Sequence, residues 1–145
     1  PNDLYKNPEN IFVSDFIGET NFLKAETKSS DEEFINVAIE ELGEFKIKNN
    51  LNVPANSSDV VCTVRPESMM IDKEKSDWDI CLDAKICQTS YLGEMTRFYV
   101  EAKGIDKIIT VSSQYFNNQS FDNNECFISI SLEDISILNK KKPVL

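Results

Sequence analysis

The sequence predicts a mainly β domain, a barrel or sandwich of about eight or more short strands, led by one short helix. Apolar residues alternate with polar ones at a period of two from Leu23 to Leu138. The stretches between them are short and polar. Two corners organise the alternation. Val64-Arg65-Pro66-Glu67 is a strand end running into a proline-fixed turn, and Tyr91-Leu92-Gly93-Glu94-Met95-Thr96 is a glycine turn between two strands.

The first 17 residues follow a different period. Pro8 suits a first helical turn, Ile11, Phe12 and Phe16 fall on one side at helical spacing, and Gly18 ends the pattern. Beyond it, Leu23 and Ala25, then Ile35, Val37 and Ile39, then Phe45 and Ile47 each predict a strand. Residues 49 to 59, rich in Asn and Ser, predict a longer surface loop or a weak edge. Val60, Cys62 and Val64 predict the strand that stops at Pro66, with a single helical turn at Glu67. Met69 and Ile71 follow briefly, and 72 to 77 form a charged loop before Trp78, a rim residue over a strand end.

The clearest strand holds Ile80, Leu82, Ala84 and Ile86 on one face. Across the glycine turn Thr96, Phe98, Val100 and Ala102 continue the alternation, and Lys103-Gly104 marks another hairpin leading to Ile109 and Val111. Residues 115 to 125 read as a packed surface excursion anchored by Phe116 and Phe121. Ile128, Ile130 and Leu132 predict the next strand, and Ile135, Ile137 and Leu138 the closing one.

The 145 residues suffice for one domain with its own core. Four cysteines at no metal-ligand spacing, with no histidine, predict reduced strand residues and no metal site. The net charge of -10 disfavours a nucleic-acid partner, and Lys140-Lys141-Lys142 reads as a solvated tail. Absence of histidine removes the commonest general base near neutral pH, and no phosphate loop, dinucleotide fingerprint or nucleophile motif is present. The chain as given is therefore expected to have no catalytic residues and to bind no cofactor.

The two corners, the opening Pro1-Asn2-Asp3-Leu4-Tyr5 and the run Pro8 to Asn21 together resemble the C-terminal part of ATP-binding subunits of bacterial ABC importers. In that family the helical segment joins the ATPase domain to a regulatory, oligonucleotide-binding (OB)-like domain called TOBE. Within the group, Phe16-Ile17-Gly18-Glu19-Thr20-Asn21 and Val111-Ser112-Ser113-Gln114-Tyr115-Phe116-Asn117 are most similar to the spermidine/putrescine importer subunit. Sugar and iron importers share the scaffold. The Walker motifs, signature motif and switch histidine of such subunits are not in this sequence.

The resemblance implies a linker over 1–20 from an upstream nucleotide-binding domain and an OB-like TOBE domain over 21–145. ATP and Mg would belong to that upstream domain. It implies that Phe12 and Phe16 face the ATPase domain, and that Arg65, Glu67, Tyr91 and Glu94 reach a partner domain or a small ligand. The implied partners are that domain, a second copy as a homodimer, and the transmembrane permease subunits, at the inner face of the cell membrane. The other reading is a barrel that senses a polycation such as spermidine in feedback inhibition, which the acidic balance suits.

Overall fold

The structure, a computed structural model, describes residues 20–114 and 121–140. The helix expected over 1–17, with Phe12 and Phe16, lies outside these residues, as do Phe116 and Lys141-Lys142. The described chain forms ten strands: β1 (Asn21–Ser30), β2 (Phe34–Ile39), β3 (Gly43–Lys48), β4 (Val60–Val64), β5 (Met70–Asp72), β6 (Ile80–Leu92), β7 (Met95–Ala102), β8 (Ile109–Ser113), β9 (Glu125–Ile130) and β10 (Ser136–Asn139). Leu132 does not continue β9. It opens a short 3-10 turn, Leu132–Asp134, because the chain must leave one sheet there for the other.

All described strand pairs are antiparallel. They build two five-stranded sheets, in the orders β10-β4-β1-β2-β3 and β5-β9-β6-β7-β8. The two orders share one plan. β1 to β4 and β6 to β9 occupy the same relative places, and the outer strand beside β4 or β9 comes from the other half of the chain. The crossings are the 3-10 turns Pro66–Ser68 and Leu132–Asp134, each entered through an extended residue, Arg65 or Ser131. Pro66 makes the first entry obligatory, since its ring fixes φ and disfavours a helical Arg65.

Inward residues of both sheets meet in one core. Leu23, Val37, Ile39, Val60 and Val64 of the first sheet and Val100, Val111, Ile128 and Ile130 of the second are almost fully buried. All lie at the alternating positions that the period of two sends to one face. Ten strands curled round one core give a barrel-like OB fold.

Local chemistry closes the hairpins. Asp31 Oδ1 accepts from the N–H groups of Phe34 (2.7 Å) and Glu33 (2.9 Å) and shapes the β1–β2 turn. Gly93 at φ +73 fills the first central position of the two-residue β6–β7 turn, where a left-handed conformation matches the strand twist. The loop at 49 to 59 is bound to β1 rather than loose. Thr27, 1% exposed, donates through Oγ1 to the Pro54 carbonyl (2.8 Å), and its hydroxyl accepts from the Ser57 N–H (2.8 Å).

Candidate functional site

The first corner places Arg65 and Glu67 at the crossing from β4 to β5, and both are exposed. Arg65 lines a groove of about 1080 Å³ with Thr20, Thr63 and Ser68 on its own side. Lys46 and Lys48 of β3 and Glu133 and Asp134 of the second crossing turn supply its other charged groups. Glu67 does not line it. The groove thus carries both signs of charge, and Lys46 Nζ sits 5.5 Å from the Phe34 ring centroid beside it.

Among the described residues, one polar group in this groove has no partner. Asp79, the residue before β6, holds the second crossing turn by accepting from the Leu132 N–H at 2.9 Å. The matching place before β1 is Thr20, and the first residue of the matching turn is Pro66, which has no N–H to give. The Thr20 hydroxyl is accordingly buried with no hydrogen-bond partner among the described residues.

The second corner is elsewhere. Tyr91 is 82% exposed and Leu92 50%, and with Glu94 they cap the long β6–β7 hairpin within the second sheet. The structure therefore places Arg65 and Glu67 at one corner and Tyr91 and Glu94 at another, and the groove at Arg65 includes neither tip residue. Trp78 is 38% exposed in the turn just before β6, its backbone N–H donating to Ser76 Oγ at 3.2 Å.

Sequence reasoning missed Asn21 as a working residue. Its Nδ2 donates to the Thr110 carbonyl (2.8 Å) and, at 3.3 Å, to the Val64 carbonyl, while its Oδ1 accepts from the Thr110 N–H (2.8 Å). The signal was its place in phase with Leu23, where a polar residue is buried and must find partners.

All four cysteines are free thiols. Burial pushes Cys62 up to about 12 and Cys126 up to about 11. At Cys81 burial acts upward too, yet donation from the Ser76 N–H (3.5 Å) and the Ser129 hydroxyl (3.6 Å) holds the thiol below its ordinary value. Among the described residues, no three acidic or cysteine side chains gather to hold a metal ion, and no helix is long and apolar enough to cross a membrane.

No protein-family profile matches the chain. Among curated proteins it is similar to the Fe(3+) ions import ATP-binding protein FbpC of Fusobacterium nucleatum, 26% identical over 97% of this chain and 36% of that protein. It is similar as well to spermidine/putrescine import ATP-binding proteins PotA. That of Trichormus variabilis is 28% identical over 70% of this chain and 27% of the relative; that of Ruegeria pomeroyi is 32% identical over 69% and 26%. The chain spans about a third or less of the length of the curated relatives it matches. Among solved structures, the cytoplasmic molybdate-binding protein ModG shares the fold, with a TM-score of 0.59 at 10% identity over 81% of this chain and 94% of that one. The chain's homologues are the ATP-binding subunits of bacterial ABC importers, and it corresponds to their C-terminal part, folded as an OB-like domain of the TOBE kind.

Proposed function

We propose that the chain is the regulatory and dimerising C-terminal domain of an importer's ATP-binding subunit, coupling ATP hydrolysis to transport of polyamines. The observation that carries this is the continuous match of nearly the whole chain to one third of an import ATP-binding protein. Repeated similarity to spermidine/putrescine subunits supports the polyamine substrate. In this reading Arg65, Glu67, Tyr91 and Glu94 contact partner domains, Phe12 and Phe16 pack on an upstream nucleotide-binding domain that carries ATP and Mg, and the permease subunits hold the assembly at the inner face of the membrane. The test is transport in proteoliposomes by the protein carrying this chain. Uptake of spermidine but not ferric ion, uncoupled from ATP hydrolysis when residues 21–145 are removed, is the expected result. Ferric uptake would reassign the solute, and unchanged coupling would reject the regulatory role.

The groove at Arg65 favours a second reading. At about 1080 Å³ it is of the size that holds a small ligand, and Glu133 and Asp134 offer carboxylates to a polycation. Binding of spermidine there would let the domain sense internal substrate and inhibit import. Calorimetry of spermidine against the chain decides it: heat lost in Glu133→Gln supports sensing, and no heat at millimolar ligand leaves only the scaffold role.

A further inference from the structure

We infer that the groove at Arg65 takes a small zwitterion, a ligand bearing a carboxylate as well as an ammonium group, with the carboxylate at Arg65 and the ammonium at Glu133 and Asp134. The inference rests on the sensing reading, whose carboxylates it keeps, and it changes the ligand class from a polycation.

The charges of the groove oppose a ligand of one sign. Three cations, Arg65, Lys46 and Lys48, line it against two carboxylates, Glu133 and Asp134, in a chain whose net charge is -10. A patch that reverses the sign of the whole molecule concentrates anions at one place. The opposite charges also stay apart. Among the described residues no ion pair joins Lys46 or Lys48 to Glu133 or Asp134, although all four line one groove of about 1080 Å³. A ligand that brings both signs satisfies both walls at once, whereas spermidine satisfies one and is repelled by the other.

Strand register gathers the anion-binding groups at one end. Ser136 of β10 pairs with Thr63 of β4, and two residues beyond Thr63 stands Arg65, still extended at φ -76 and ψ 144, before the 3-10 turn that ends at Ser68. Arg65, Ser68 and Ser136 all line the groove. The two serine hydroxyls have no hydrogen-bond partner among the described residues, and Ser136 is exposed, so both are open to a ligand. A guanidinium fork with hydroxyl donors is a carboxylate-binding set. The turn carrying Glu133 and Asp134 leads into β10, the strand next to β4. Neighbouring strands lie about 5 Å apart, so the two ends of the site fall within the span of one amino acid. Leu132 and Ile135 give the methylene chain between them an apolar floor.

The test is calorimetry of the 145-residue chain with three probes. Ornithine and putrescine differ by one carboxylate, and 5-aminopentanoate keeps one group of each sign. The expected result is that ornithine binds about tenfold or more tightly than putrescine, with 5-aminopentanoate also ahead of putrescine. Arg65→Gln should weaken ornithine about tenfold and leave putrescine unchanged, and Ser136→Ala should act in the same direction. Glu133→Gln should weaken both. Putrescine or spermidine binding as tightly as ornithine overturns the zwitterion and leaves polyamine sensing standing. Ornithine affinity unmoved in both Arg65→Gln and Ser136→Ala overturns the site. No heat from any probe or from spermidine at millimolar concentration overturns this inference together with the sensing reading, and the scaffold role survives.

Discussion

Asn21 in β1 and Thr110 in β8 are joined by two reciprocal hydrogen bonds of 2.8 Å, so that one carboxamide serves as a length of strand and clasps the first sheet to the edge of the second. The pair is 89 residues apart in the chain, and Asn21 is 7% exposed. Asn21→Ala strips both partners from Thr110 where water has little access. We expect a loss of about 2–4 kcal/mol in urea unfolding. Asn21→Asp fails similarly, because a carboxylate cannot donate to the Thr110 carbonyl.

Gly104 occupies φ +92 between β7 and β8, and its carbonyl accepts from the Glu41 N–H at 3.0 Å. A methyl group there would stand 2.7 Å from Leu42 Cδ2. Gly104→Ala should lower stability by about 1–3 kcal/mol. Adding Leu42→Ala relieves the overlap but not the backbone strain, so a double-mutant cycle by thermal unfolding shows partial recovery.

Thr27→Val keeps the shape of a fully buried side chain and removes the hydroxyl that ties the 49–59 loop to β1. The Ser57 N–H and Pro54 carbonyl lose a partner. The expected cost is about 1–2 kcal/mol, with faster amide exchange at Ser57 and Asn56 and little change in the second sheet.

The thiols predict an alkaline limit to stability. Cys62 and Cys126 are raised from the ordinary 9.0 to about 12 and about 11, so the folded state keeps protons that the unfolded chain gives up. Their contribution is complete below 9.0 and is lost as pH rises from there toward 12. Cys81, lowered by its donors, acts oppositely in the interval below 9.0. Denaturant midpoints across this range should fall for the wild type and flatten in Cys62→Ala. Native alkylation at neutral pH should label exposed Cys87 and half-buried Cys81 and spare the other two until unfolding.

Acid weakens the other end. Asp31 is held below the ordinary 3.8 by the N–H groups of Phe34 and Glu33, and Asp106 by its hydrogen bond and 2.6 Å ion pair with Lys24. Both favour the folded state above that value and cease to as pH falls through their lowered pKa values. Asp31→Asn should make the acid midpoint less steep, read by circular dichroism.

Strand identity and facing were legible locally. The alternation around Leu23, Ile35, Ile86 and Ile128 assigned faces correctly because a pleated strand sends successive side chains to opposite sides whatever its neighbours are. Pro66 and Gly93 marked real corners because their backbones admit few conformations. The acidic balance and the absence of histidine were likewise fixed by composition. Which strand lies beside which was not legible. Alternation names a face but no partner, so the exchange of β5 and β10 between the halves depends on packing across the core. For the same reason Arg65 and Tyr91, both recognised as corner residues, fell in unrelated places. Only the tertiary structure decided that Asn21 clasps β8 and that Arg65 shares a groove with Lys46 and Glu133, because each is a relation between segments far apart in sequence.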